Sequence, residues 1–122
     1  MHDAPRILVV EDEYLIALEL DTELRTAGYR VIGPVPDIDG ALELLKADAP
    51  DAAILDVSLA GGEWVTPVAE TLKAMSVPFI LASGYVAADL QAHPVLRDAV
   101  NVGKSWRPEY LLRTLRSALD GT

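Results

Sequence analysis

Glu11-Asp12, Asp56, Ser83 with Tyr85, and Lys104 each stand where a short aliphatic run of the sequence ends. Three acids, a hydroxyl and an amine at successive strand ends can hold a hard divalent cation and a phosphoryl group. Mg²⁺ takes octahedral oxygen, typically one or two carboxylates completed by water and phosphate oxygens. Asp12 and Asp56 can supply direct ligands. Glu11 can reach the ion directly or through water, and the backbone carbonyl of Ser58 adds a further donor. Three close carboxylates repel one another, and a cation relieves that repulsion. Phosphoryl transfer asks a protein mainly for positioning and charge stabilisation. An ionised Asp56 is a nucleophile able to form an acyl phosphate, and Lys104 and Ser83 can each meet a phosphoryl oxygen. An acyl phosphate is labile, which suits a reversible signal.

Each piece alone has an ordinary explanation. An acidic pair after a strand is often a helix N-cap favoured by the dipole, and Asp12 fits that description. A single Asp after a strand is usually a turn residue, Ser83-Gly84 reads as a turn, and Lys104 as a solvated charge. The order acid pair, Asp, Ser, Lys at successive strand ends is what raises the joint reading above these.

The elements that must position these residues alternate. Ile7-Leu8-Val9-Val10 is a continuous aliphatic run, as in a strand buried on both faces. Residues 13–27 form a helix with an inward stripe of Ile16, Ala17, Leu20, Leu24 and Ala27, stopped by Gly28. A short strand at 30–33 is ended by Pro34 and Pro36, and a helix follows at 38–47. Residues 52–57 are the third strand. Gly61-Gly62 then breaks the chain, and Thr66-Pro67 opens a helix to about residue 75. Strands at 78–82 and 99–102 flank a weak helix at 87–91 that His93-Pro94 disturbs. Pro108 opens the last helix, with Leu111, Leu112, Leu115 and Leu119 inward and Arg113 and Arg116 outward.

This alternation predicts an α/β fold: a doubly wound five-stranded parallel sheet, in the flavodoxin-like order 2-1-3-4-5, with helices on both faces. Such folds bind ligands at the carboxyl ends of the strands, beside the switch point between strands one and three. Glu11-Asp12 and Asp56 fall there.

The bulk properties narrow the class. The chain has 122 residues, enough for one domain, with no linker, repeat or appended output domain in its pattern. Although 51% of it is hydrophobic, no apolar run approaches the roughly 20 residues of a membrane span, and the polar start is unlike a signal peptide. There is no cysteine, which excludes disulfides and thiolate zinc sites. His2 and His93 are a poor metal pair. With 19 acids against 10 bases and a net charge of −9, the domain would repel a phosphate backbone, so no direct nucleic-acid partner is expected. These features predict a cytoplasmic protein.

The chain resembles a response-regulator receiver domain over nearly its whole length. Ile7-Leu8-Val9-Val10-Glu11-Asp12-Glu13 is similar to the first receiver strand with its acidic pocket, and Ala53-Ile54-Leu55-Asp56-Val57 to the strand carrying the phosphoacceptor. More narrowly, Pro78-Phe79-Ile80-Leu81-Ala82-Ser83-Gly84-Tyr85 resembles the signature run of the FAT GUY receivers, as do Leu59-Ala60-Gly61-Gly62-Glu63 and Pro67-Val68-Ala69. The resemblance implies that Asp56 is the phosphoacceptor and that Glu11 and Asp12 form the Mg²⁺ pocket. By the same resemblance Ser83 and Lys104 contact the phosphoryl group, and Tyr85 is the rotating aromatic that reports phosphorylation. It also implies a histidine kinase or histidine phosphotransfer protein as donor, a downstream protein partner, and no reaction beyond the chain's own phosphorylation and dephosphorylation. A phosphate sink or shuttle, and a degenerate receiver that binds partners constitutively, are the rival readings.

Three positions depart from the pattern. Ser105 stands where the receiver lysine is normally followed by a proline in cis linkage, and a cis bond before a non-proline costs roughly 3–4 kcal/mol. Either Lys104 carries that strain or its loop takes another path. Ala60 replaces the usual proline, and Ser83 the usual threonine. A flavin site is disfavoured because acids stand where the first loop would cradle a phosphate, and an aspartate-based phosphatase lacks its second Asp, the position being Ser58.

Tyr14, Leu15 and Leu18 lie off the inward stripe of the first helix, next to the acids. They are candidates to dock a phosphodonor's helices, with burial under neighbouring helices the competing expectation for Leu18. The fourth helix, fifth strand and last helix offer a second surface, for output or homodimer contacts. Trp106, close to Lys104, is the expected fluorescence reporter of the site.

Overall fold

The computed structural model describes residues 4–121, so His2 lies outside the described residues. In chain order the elements are β1 (Arg6–Val10), α1 (Tyr14–Thr26), β2 (Arg30–Val35), α2 (Ile38–Ala47), β3 (Ala52–Leu55), α3 (Thr66–Ala74), β4 (Phe79–Leu81), α4 (Pro94–Arg97) and α5 (Pro108–Asp120). Short 3₁₀ turns occupy Ala60–Gly62 and Ala87–Leu90.

The strands are parallel in the order β2-β1-β3-β4. Successive residues of a strand face opposite sides of the sheet, and both sides are covered. Ile7, Val9, Ile54, Ile80 and Ala82 pack with Leu20 and Leu24 of α1 and Leu111 and Leu115 of α5. Leu8, Val10, Ala53, Leu55 and Leu81 pack with Ala41 and Leu45 of α2 and Val68 and Leu72 of α3. A stretch sandwiched in this way must be apolar at every position, which is why residues 7–10 of β1 and all of β3 read as unbroken aliphatic runs.

Among the described residues four strands form where five were expected. The run 99–102 contributes only a bridge between Asn101 and Leu81, with Leu81 N–H donating to Val100 O and Val102 N–H to Leu81 O, each at 2.8 Å. Beyond it the Asn101 side chain takes the next ladder position: Ser83 N–H donates to Asn101 Oδ1 at 3.0 Å. A side chain that captures the neighbouring strand's N–H ends the regular ladder there.

Smaller corrections follow from the edges of elements. β2 does not end at Gly33 but runs through Pro34 to Val35, with an extra residue on β2 between the pairs Leu8–Ile32 and Val10–Val35. Proline is tolerated because β2 is an edge strand. Gly33 is required: its φ is 93°, and a Cβ there would lie 2.8 Å from Val35 N. Ala27 caps α1 and is exposed, so the inward stripe stops at Leu24. The helix expected at 87–91 is a 3₁₀ turn, and His93-Pro94 starts α4, with proline in its first turn.

Candidate functional site

Register brings the acids together. Val10 lies opposite Leu55, and Leu55 opposite Leu81. One step further, Glu11 N–H donates to Val35 O at 3.0 Å, Asp56 N–H to Val10 O and Ala82 N–H to Leu55 O, both at 2.9 Å. The strand ends β1, β3 and β4 are therefore level, and Glu11, Asp56 and Ser83 emerge at one edge of the sheet. Carboxylate oxygens of Glu11, Asp12 and Asp56 all lie within 4.8 Å of one another. Glu11 and Asp56 are buried and Asp12 is half-buried. Three hard oxygen donors so close are suited to a divalent cation of the Mg²⁺ kind.

Lys104 closes the site from the other side. Its Nζ donates to Glu11 Oε1 at 2.9 Å and Asp56 Oδ2 at 3.0 Å, with Glu13 Oε1 at 3.4 Å. Gly103, at φ 83°, turns the chain just before it, and Gly103 N–H is held by Asn101 Oδ1 at 2.9 Å. The Lys104–Ser105 peptide is trans, so the loop delivers the ammonium to Asp56 without a cis bond. Burial works against the ammonium's charge, but the hydrogen bonds and charges of Glu11 and Asp56 outweigh it and raise its pKa above the ordinary value. Glu11 is pushed up to about 7, first by burial and further by the charge of Asp56, against the lowering effect of Lys104 and of Glu13 N–H.

Ser83 is buried, and its Oγ accepts Tyr85 N–H at 3.1 Å. Ser83, Tyr85 and Lys104 line one open cleft of about 610 Å³ between residues 83–87 and 96–105. The Tyr85 ring lies 5.4 Å from that of Trp64, which in turn stacks on His93 at 4.6 Å. Ser58 pairs with Trp64 in an antiparallel bridge. The bonds of that bridge come from the flanking residues, Leu59 N–H to Glu63 O and Val65 N–H to Val57 O, both 2.8 Å. The Ser58 carbonyl is left out of it.

Tyr14, Leu15 and Leu18 are exposed, Leu18 at 47%, contrary to the competing expectation of burial. Tyr14 and Leu18 line a cleft of about 280 Å³ with Glu11, Asp12, Pro34 and Pro36. Trp106 is buried, and its Nε1 donates to Glu23 Oε2 of α1 at 2.7 Å rather than facing the acids. Sequence reading missed Glu13 and Asn101. The third acid of the Glu11-Asp12-Glu13 run was the signal for the first. A lone amide inside an apolar run, two residues before Gly103, was the signal for the second.

Known proteins match this arrangement. The response regulator receiver domain family matches residues 7–115. The solution structure of SdrG from Sphingomonas melonis Fr1 is 38% identical, covers 98% of this chain and 99% of that one, and superimposes with a TM-score of 0.82. The transcriptional regulatory protein PdtaR of Mycobacterium tuberculosis is 31% identical over 85 residues, which are 70% of this chain and 42% of PdtaR. The phyllosphere-induced regulator PhyR of Methylorubrum extorquens is 32% identical over 84 residues, 67% of this chain and 32% of PhyR. The chain thus spans less than half the length of these two curated relatives.

Fold, acidic cluster and sequence match agree, and the chain belongs to the response regulator receiver domain family. Receiver domains of this family serve phosphorylation-dependent signalling, and the reactions such a domain catalyses are its own phosphorylation and dephosphorylation. Among the described residues no helix is long and apolar enough to cross a membrane.

Proposed function

We propose that the protein is a single-domain response regulator of a two-component phosphorelay, switched by phosphorylation of Asp56. The observation that carries this reading is the Lys104 ion pair at 3.0 Å to Asp56, itself one of three mutually close carboxylates.

Glu11, Asp12 and Asp56, with the Ser58 carbonyl, are the residues that would hold Mg²⁺, which when bound supplies charge neutralisation for phosphoryl oxygens. The chain's own residues do the rest. An Asp56 carboxylate oxygen attacks phosphorus of a phosphohistidine or a small acyl phosphate. The new P–O bond forms as the P–N or P–O bond of the donor breaks, and the leaving imidazole or carboxylate departs with the bonding electrons. Lys104 offers its ammonium to a phosphoryl oxygen. The Ser83 Oγ now accepts Tyr85 N–H, so its own proton remains to donate to another phosphoryl oxygen. Turning that hydroxyl alters its hold on Tyr85, whose carbonyl accepts from Asn101 Nδ2 at 2.7 Å and whose ring meets Trp64. That chain of contacts supports Tyr85 as the residue that carries the change to the surface.

The run from Pro78 to Tyr85 supports membership of the FAT GUY subgroup, and the match to SdrG over 99% of its length supports the single-domain reading. A histidine kinase or phosphotransfer protein would be the donor, with a downstream protein as the target. The exposed Tyr14, Leu15 and Leu18 beside the acids are the surface that best fits a donor's helices. The contact of Lys104 with Asp56 favours this switching reading over a constitutive binding module.

The test is the intact mass after incubation with Mg²⁺ and a small phosphodonor, beside Asp56→Asn and a metal-free control. Gain of one phosphoryl mass only with both Mg²⁺ and Asp56 is the expected result. Phosphorylation that persists in Asp56→Asn would sink the assignment.

A further inference from the structure

Glu13 occupies the N-cap position of α1, yet its side chain makes no capping bond. A carboxylate at that position ordinarily accepts a hydrogen bond from the second or third helical N–H. Here its Oε1 lies 3.4 Å from Lys104 Nζ instead, while Glu13 N–H is held by Glu11 Oε2 at 3.1 Å. An ammonium has three protons, and that of Lys104 faces three carboxylates: Glu11, Asp56 and Glu13. The three are not equivalent. Glu11 and Asp56 are buried and belong with Asp12 to the close cluster, whereas the Glu13 side chain is 60% exposed and stands outside it.

We propose that Glu13 is a positioning residue for Lys104: a second seat at the rim of the site, which keeps the ammonium when Glu11 and Asp56 turn to a cation and competes with a phosphoryl oxygen for it. The inference rests on the reading of Asp56 as phosphoacceptor. Once Glu11 and Asp56 ligate a metal, part of their negative charge and lone-pair capacity is committed to it, and their hold on the Lys104 ammonium weakens. Glu13 has no such second demand. A lysine whose ammonium is held by Glu13 stays near the site, but it must leave that partner to reach an incoming phosphoryl group. Glu13 therefore sets a cost on the switched state, and an exposed ion pair of this kind corresponds to a few-fold change in affinity.

The experiment is a beryllofluoride titration of the Mg²⁺-saturated protein, followed by NMR shifts, for wild type, Glu13→Gln, Glu13→Asp and the same changes in a Lys104→Met background. Glu13→Gln is expected to tighten beryllofluoride binding about two- to five-fold, and to change nothing once Lys104 is replaced. Glu13→Asp keeps the charge but loses the reach, so it is expected to follow Glu13→Gln. If it follows wild type instead, the effect is one of bulk charge and the proposal falls. The proposal also falls if tightening persists without Lys104. A second readout needs no phosphoryl analogue: acylation of the Lys104 amine in the Mg²⁺-saturated protein, read by peptide mass, is expected to be at least about two-fold faster in Glu13→Gln, and equal rates overturn the seat. A wild type that binds Mg²⁺ but no beryllofluoride overturns the phosphoacceptor reading and this inference together, whereas normal wild-type binding with an unchanged Glu13→Gln overturns this inference alone.

Discussion

The carboxamide of Asn101 accepts the backbone N–H of Ser83 at 3.0 Å, so a side chain takes over just past β4, where the backbone bonds of residues 100 and 102 to Leu81 stop. The same oxygen accepts Gly103 N–H at 2.9 Å, and the amide nitrogen donates to Tyr85 O at 2.7 Å. One residue thereby ties together the hydroxyl, the aromatic and the loop that carries Lys104. Asn101→Ala leaves two donors and one acceptor without these partners. It is expected to cost about 2–3 kcal/mol in denaturant unfolding and to speed hydrogen exchange at the Ser83 and Gly103 amides. Unchanged exchange at both amides would show that the ladder does not depend on this side chain.

Trp64, not Trp106, is the indole in contact with Tyr85, with ring centroids 5.4 Å apart. Trp106 is held by Glu23 on the opposite face of the sheet, among the residues packed by α1 and α5. Movement of Tyr85 should therefore alter Trp64 emission and leave Trp106 nearly silent. Addition of Mg²⁺ and beryllofluoride is expected to change the fluorescence of Trp106→Phe and not that of Trp64→Phe. The reverse pattern would place the conformational change next to α1.

The two-sided burial of β1 and β3 was legible because a strand covered on both faces admits only apolar residues, and Ile7 to Val10 and Ala52 to Leu55 satisfy that without exception. The acid positions were legible for the same reason: a charge is tolerated only where such a run leaves the core, at Glu11 and Asp56. The fifth strand was misread because periodicity sees Ala99 to Val102 as apolar and is blind to what the Asn101 side chain does. Pro34 was taken as a stop, although an edge strand needs no outward N–H from it. The Lys104–Glu13 contact joins residues 91 positions apart and depends on a loop path that local patterning cannot supply.

Lys104 compensates two buried carboxylates, so its removal should be felt before any phosphoryl chemistry. In Lys104→Met, Glu11 and Asp56 lose the cation that lies 2.9 and 3.0 Å from them. The metal-free variant is expected to lose about 2–4 kcal/mol of stability, since breaking a buried pair strands the partner charge. Asp56→Asn in that background should recover part of the loss, and Mg²⁺ should stabilise Lys104→Met more than wild type. Calorimetry with and without Mg²⁺ checks both. A Lys104→Met protein as stable as wild type in the absence of metal would mean that the ion pairs contribute nothing to the fold.

Glu11 gives the metal-free protein a pH dependence of definite sign. Its folded value of about 7 lies above the ordinary 4.5, chiefly because burial disfavours the carboxylate. Between those values the folded chain keeps a proton that the unfolded chain has released, so folding binds protons and stability falls as pH rises through the window. The raised pKa of Lys104 acts the same way only at alkaline pH, beyond it. The melting temperature of the metal-free protein should therefore fall by several degrees more between pH 5 and 7.5 than that of Glu11→Gln, in which nothing titrates at this position. A cation bound by Glu11 requires the ionised form, so Mg²⁺ binding near pH 6.5 should release protons and tighten as pH rises. Calorimetric titrations in buffers of different ionisation enthalpy measure that release. Parallel melting curves for wild type and Glu11→Gln, with no proton release on Mg²⁺ binding, would mean that Glu11 is already ionised in the metal-free site, held so by Lys104.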